Sequence, residues 1–158
     1  MSNSKKVVLI TGGGSGMGRE AARRFAAEGA TVALFDVNAA GMAETVGTFD
    51  SIHSWTVDMT DFSAVCAAVR AVEEKLGPVE RLYNCAAIMP FGLLVEQDNA
   101  IIHKQMAINY GGLVNVTQAA LPAMLARGHG DFVSFASMAG IIPMLMTGGY
   151  TATKFAVT

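Results

Sequence analysis

The tightest constraint on the fold is residues 11–18, which read Thr-Gly-Gly-Gly-Ser-Gly-Met-Gly. An apolar run, Val7-Val8-Leu9-Ile10, precedes them and a helical pattern over residues 19–28 follows. A buried strand, a glycine turn and a helix start are the parts of a phosphate cradle. Glycines admit positive φ and let a pyrophosphate approach without a Cβ in the way. The first-turn N–H groups of the helix then face the anion, aided by the helix dipole. Gly12, Gly16 and Gly18 carry the spacing G-x-x-x-G-x-G. The strict dinucleotide fingerprint G-x-G-x-x-G is not met, because Met17 holds its third glycine position. The alternative is a glycine-rich turn with no ligand.

Strand and helix patterns alternate from this loop onward. Residues 5–11 form the first expected strand. Residues 17–28 form a helix with Ala21, Ala22, Phe25 and Ala26 as its apolar stripe, closed by Gly29. A near-continuous apolar strand over 31–35 stops at Asp36. Asn38 caps a short helix to about residue 46, and a weaker strand spans 52–57. Asp61 or Ser63 caps a helix that ends at Leu76, before Gly77-Pro78. A fourth strand covers 79–84 and an apolar loop 88–95. Residues 98–126 read as one long helix with Pro122 near its end. A fifth strand covers 131–136, and residues 147–158 begin another helix. This order predicts one domain over 1–158, a doubly wound α/β fold whose parallel sheet carries helices on both faces.

Composition excludes several classes. The net charge is −2, so no basic excess points to nucleic acid. Two uncharged stretches, 105–126 and 132–153, are long enough to span a membrane. However, polar residues and breakers such as Asn109, Gln118, Pro143 and Gly148-Gly149 argue for buried helix and strand. Cys66 and Cys85 lack metal or C-x-x-C spacing and read as reduced thiols of a cytoplasmic protein. The N-terminal stretch lacks the long apolar region of a signal peptide. His53, His103 and His129 share no ligand spacing, so no metal is expected.

In such sheets ligands bind beyond the carboxyl ends of the strands. Asp36 stands there, eighteen residues past Gly18. A carboxylate at this point accepts hydrogen bonds from an adenosine ribose diol and repels a 2′-phosphate, which favours NAD over NADP. Ser15 and Val37 supply no opposing cation. The alternative for Asp36 is a surface turn. Asp58 and Met59 follow the third strand and suit an adenine edge, with helix capping as the other reading of Asp58. Asn84 to Ala87 are small enough for a ribose to pack on their backbone. Beyond the fifth strand lies Ser137; Tyr150 follows thirteen residues later and Lys154 four after that. Positions i and i+4 share a helix face, so Tyr150 and Lys154 can meet at one site. An ammonium about 4 Å away contributes on the order of 4 kcal/mol at an effective dielectric near 20, which draws a phenol toward acid–base work at neutral pH. Ser137 would steady the charge on the substrate oxygen. Met89, Phe91, Ile141, Ile142 and Met144 suggest an apolar substrate pocket or ordinary packing.

These residues resemble the short-chain dehydrogenase/reductase family. Thr11, Gly12, Gly16 and Gly18 match its Thr-Gly-x-x-x-Gly-x-Gly loop, and Ser137, Tyr150 and Lys154 match its Ser and Tyr-x-x-x-Lys. Asn84-Cys85-Ala86-Ala87 resembles its Asn-Asn-Ala-Gly segment, with Cys85 and Ala87 as departures. The resemblance implies a Rossmann-type sandwich and an NAD-dependent oxidoreductase acting on a secondary alcohol or ketone. It implies that Tyr150 is the acid/base, that Lys154 also holds the nicotinamide ribose, and that Met17 offers its N–H near the pyrophosphate. It further implies that Asn109 is a kink residue holding a water near the lysine, and that the chain forms a homodimer or homotetramer. Family members continue well past the lysine, so the sequence is expected to be a piece of a longer protein. Two other readings stand beside this one: a nucleotide-binding module without turnover, and a reductase of acyl-carrier-linked ketones.

Overall fold

The computed structural model describes residues 6–158. Lys5, expected to open the first strand, and the polar stretch before it lie outside the described residues. The strands are β1 (Val7–Thr11), β2 (Thr31–Asp36), β3 (Ile52–Thr56), β4 (Val79–Asn84) and β5 (Asp131–Ser134). The α-helices are α1 (Gly16–Ala27), α2 (Ala39–Val46), α3 (Phe62–Leu76), α4 (Asn99–Met106), α5 (Gly112–Arg127) and α6 (Gly148–Val157). All pairings are parallel and the order is β3-β2-β1-β4-β5. The chain winds outward from β1 to β3, then returns to β4 on the other side of β1. That reversal opens a crevice above β1 and β4, the topological switch point.

Period-two alternation explains why β1 must be central. Val7 and Leu9 join Ala33, Phe35, Val69, Val72 and Val116 on the face covered by α3 and α5. Val8 and Ile10 join Ala22, Val32, Leu34 and Met42 on the face covered by α1 and α2. Both faces of β1 and β2 are therefore dry, which requires the near-continuous apolar runs seen in the sequence. Each large aliphatic side chain fully buried there contributes about 1.5–3 kcal/mol. By contrast β5 is an edge, with Asp131 and Phe132 exposed.

The helix starts follow their caps. Asn38 accepts from the Gly41 N–H at 2.9 Å, and Asp61, not Ser63, accepts from Ala64 at 3.0 Å. The expected long helix is continuous but not uniform. Between α4 and α5, residues Ala107–Gly111 form a π-helical turn centred on Asn109. β5 ends at Ser134, two residues earlier than expected, because the chain turns toward a 3-10 turn, Met138–Gly140, capped by Ser137. α6 packs on this 3-10 turn and on α4. No helix of the described residues is long and apolar enough to cross a membrane.

Candidate active site

A crevice of about 450 Å³ lies over the carboxyl ends of the strands. Gly12, Ser15, Gly16, Met17 and Gly18 line it, with Asp36 and Val37 after β2, Asp58 and Met59 after β3, and Ala86 after β4. Tyr150 closes the other end. Eleven of the expected site residues thus share one cavity wall. Asn84, Asn109, Ser137 and Lys154 do not line it. A larger hollow of about 740 Å³ opens at the opposite ends of the strands, where Arg81 and Asp131 pair with each other at 2.5 Å. It is remote from every residue with a chemical reading.

The glycine loop is clamped from below. Thr45, fully buried on α2, donates to the Gly13 carbonyl at 2.7 Å. Arg19 donates to the Gly14 carbonyl at 2.6 Å and is paired with Glu44 at 2.9 Å. The Asp36 carboxylate accepts from the N–H groups of Gly14 and Asn38, each at 2.9 Å. With its carbonyls held, the loop turns the first-turn N–H groups of α1 toward the crevice, and these have no intrahelical acceptor. Ser15 caps the helix with backbone alone, leaving its hydroxyl exposed at the same mouth.

Two glycines here admit no other residue without movement. Gly12 has φ +70°, and a Cβ on it would lie 2.9 Å from the Ala86 backbone. A Cβ on Gly18 would collide with the Gly12 carbonyl oxygen. The exposed N–H row and close-packed glycine floor fit a pyrophosphate, and Asp36 stands where a ribose diol would follow. The residues present therefore fit a dinucleotide. Gly16, Met17 and Gly18 would hold its phosphates, with Asp36 and Val37 beside one ribose and Ala86 under the other.

The floor is pinned across the switch point by hydroxyl chemistry. Thr11 donates to the Asn84 side-chain carbonyl at 2.6 Å and accepts from the Ala86 N–H at 3.1 Å. Asn84 is buried and outside the crevice lining, and its carbonyl orients the Thr11 hydroxyl that holds Ala86. Asp58 is exposed and bonds Thr60 twice, through the N–H at 2.9 Å and the hydroxyl at 2.8 Å. Those bonds hold its carboxyl below the usual carboxylate range. Asp61 has taken the capping role, which leaves Asp58 at the crevice wall.

At the reacting end α6 carries Tyr150 and Lys154 on one face. The Lys154 amine lies 5.7 Å from the Tyr150 ring centroid and donates to the Phe135 carbonyl at 2.5 Å. Lys154 is only 5% exposed. Burial pushes its proton affinity below the ordinary lysine value, against a smaller opposing effect of Cys85. Burial also pushes the Cys85 thiol up to about 11, so it stays neutral beside the amine. Ser137 accepts from the Ala139 N–H at 3.2 Å, and its own O–H remains for another acceptor.

Asn109 explains the π turn. Its Oδ1 accepts from the Ile88 N–H at 2.8 Å, and its Nδ2 donates to the Ile88 carbonyl at 3.0 Å and to Thr153 Oγ1 at 3.0 Å. Every polar atom of this side chain is thus bonded to protein, so its side chain is a brace. Thr153 in turn donates to the Tyr150 carbonyl at 2.7 Å. Sequence reasoning missed Thr153. Its signal was slight: a hydroxyl three residues after Tyr150, able to bond back along the helix. Arg19 and Thr45 were also missed, as ordinary surface and helix residues in pattern. Among the described residues no group of three or more His, Cys, Asp or Glu side chains is placed to hold a metal.

Comparison with known proteins gives the family. A family model described as short chain dehydrogenase matches residues 6–158. The chain belongs to the short-chain dehydrogenase family. It is 35% identical to 2-(S)-hydroxypropyl-CoM dehydrogenase 3 of Xanthobacter autotrophicus, over 99% of this chain and 64% of that protein. It is 34% identical to estradiol 17-beta-dehydrogenase 11 of Rattus norvegicus, over 96% of this chain and 52% of the relative. Among solved structures, the apo form of LigO from Sphingobium superposes with a TM-score of 0.92 at 32% identity, covering 99% of this chain and 61% of that one. An actinorhodin polyketide ketoreductase with NADPH gives a TM-score of 0.92 at 31% identity, covering 99% and 62%. The chain therefore spans between about half and two thirds of the length of these relatives.

Proposed function

We propose that this chain carries the cofactor site and the proton-transfer residues of an NAD-dependent oxidoreductase acting on a secondary alcohol or its ketone. The observation that carries the reading is one cavity: Tyr150 stands on the wall of the crevice that Gly12 to Gly18 floor, with the buried Lys154 amine beside its ring. A nicotinamide bound there would supply the hydride acceptor for an alcohol carbon, or in reduced form the hydride donor for a ketone carbon. Tyr150 takes the alcohol proton as the C=O bond forms and gives one back in the reverse direction. Lys154 favours the anionic phenol by its charge and offers its N–H groups to a ribose hydroxyl. Ser137 donates its free O–H to the substrate oxygen. Asn109 acts through position: its side chain braces α6 against Ile88, and the π turn around it supports the proton path near Lys154.

Asp36 supports NAD as the cofactor, because its charge opposes a 2′-phosphate and the loop cation Arg19 is committed to backbone carbonyls and Glu44. The same reading makes the protein a cytoplasmic homodimer or homotetramer. Ile101, Tyr110 and Phe155 are exposed along α4, the π turn and α6, and both cysteines are free thiols. A direct test compares the wild type with Tyr150→Phe in NADH binding and in turnover of mixed secondary alcohols. Binding is expected to persist while turnover falls about 10²–10⁴-fold. Equal turnover in the two proteins would remove Tyr150 from the chemistry.

A further inference from the structure

One buried polar side chain lies outside the crevice lining. Gln105, on α4, is fully buried, and among the described residues neither its Oε1 nor its Nε2 has a hydrogen-bond partner. The amide lies on Gly149, the residue before Tyr150. A Cβ on Gly149 would stand 3.0 Å from Nε2, 3.2 Å from Oε1 and 3.3 Å from Cδ, so the face of the amide covers the bare Cα. Gly149 is itself buried and its φ is not positive, so closeness to the amide is what excludes a side chain there.

Both choices cost stability. A buried amide left unmet is less favourable than an apolar side chain of the same shape, and a helical glycine is less favourable than alanine. Two local rules broken at one contact, beside the residue that carries the chemistry, mark a place built for position. The contact also has a counterpart. Asn109 lies four residues after Gln105, and Thr153 lies four after Gly149. Asn109 donates to Thr153 at 3.0 Å. α4 and the π turn therefore run beside α6 in the same direction and touch it at two rungs, one turn apart. The residue after the first rung is Tyr150, and the residue after the second is Lys154.

We propose that Gln105 is a positioning residue for Tyr150: its amide, pressed on Gly149, seats the first turn of α6 and so sets where the phenol stands in the crevice. The inference rests on the proposed role of Tyr150 as acid/base. The shape and the polarity of the amide both serve the contact. A planar amide is thinner than a methyl or thioether group, so it lies closer to a bare Cα. It also carries a dipole, and the N–H groups of Gly148, Gly149 and Tyr150 at the start of α6 have no intrahelical acceptor. Thr147, which precedes them, donates its hydroxyl to the Met144 carbonyl at 3.1 Å and gives α6 no side-chain cap.

The test compares the wild type with Gln105→Met, an apolar side chain of similar length, by crystal structure, thermal midpoint and kinetics. The Tyr150 hydroxyl is expected to move by roughly 0.5 Å or more relative to Lys154, or to split into two conformers, while the thermal midpoint holds or rises. The kcat for mixed secondary alcohols is expected to fall about tenfold, with KM for NAD unchanged. Gly149→Ala, whose Cβ would push the amide away, is expected to displace the same hydroxyl and carries the test if Gln105→Met does not fold. Adding Gln105→Ala to Gly149→Ala relieves the crowding, so the thermal midpoint should recover and kcat should not. An unmoved Tyr150 hydroxyl in the folded variants, or a loss of kcat that only follows a lowered thermal midpoint, would overturn the proposal and make Gln105 core packing. The structures are read without substrate, so the two readings separate. A displaced hydroxyl with unchanged kcat keeps Gln105 as the seat of α6 and removes Tyr150 as acid/base.

Discussion

The two ends of the crevice are held by opposite means. At the glycine loop, buried polar groups fix every turn: Thr45 and Arg19 take the Gly13 and Gly14 carbonyls, Asp36 takes the Gly14 N–H, and Thr11 pins Ala86. At the other end the backbone is carried mostly by loops whose exposed side chains are apolar, held by scattered bonds such as Asn109 to Thr153 and Lys154 to the Phe135 carbonyl. The first end is fixed by polar bonds to its own backbone. The second is an apolar wall around a fixed phenol.

The comparison breaks most visibly at Lys154. Lys154→Met is expected to lower turnover about 10²–10³-fold while nucleotide binding through the glycine loop persists. Its effect on stability carries a sign that can be checked. Burial depresses the Lys154 proton affinity in the folded state, so the unfolded chain binds more protons there. The folded protein is therefore penalised at neutral pH, and that penalty disappears as pH rises through the depressed folded value toward the ordinary lysine value of about 10.5. Denaturation curves should show the wild type gaining on the variant as pH increases; a gain as pH falls would reverse the assignment.

A smaller effect tests the brace. Thr153→Val keeps volume and removes the links to Asn109 and to the Tyr150 carbonyl. Turnover is expected to fall about tenfold through misplacement of Tyr150, with a stability loss of about 1–3 kcal/mol for the buried polar groups left unmet. Thr153→Ser should restore both. Rescue of stability without rescue of turnover would separate the brace from catalysis. The smallest expected effect lies at the polar end. Asp36→Ala should cut the preference for NAD over NADP about tenfold in initial rates and cost about 1 kcal/mol through its loop bonds. An unchanged preference would make Asp36 a loop clamp alone.

Much of this division was legible in the residues. The glycine loop, Asp36 and the Tyr150–Lys154 spacing are local patterns, and the alternation of strands and helices implied a parallel sheet, whose strand order only the structure gives. What was not legible depends on contacts distant in sequence. The π turn exists because Asn109 reaches Ile88 and a threonine 44 residues away. Asn84 faces inward because Thr11, 73 residues distant, claims its carbonyl. β5 stops early because Ser137 caps a 3-10 turn that no periodicity announces. The π turn falls on Asn109, where a kink was expected, and its side chain braces Ile88 and Thr153.

The most direct measurement is a crystal structure of the protein with NAD bound. The account predicts the pyrophosphate on the N–H groups of Gly16, Met17 and Gly18, a ribose on Asp36, and the nicotinamide ring beside the Tyr150 hydroxyl with the Lys154 amine turned inward. A nucleotide seated elsewhere, or one whose nicotinamide ring points away from Tyr150, would contradict it.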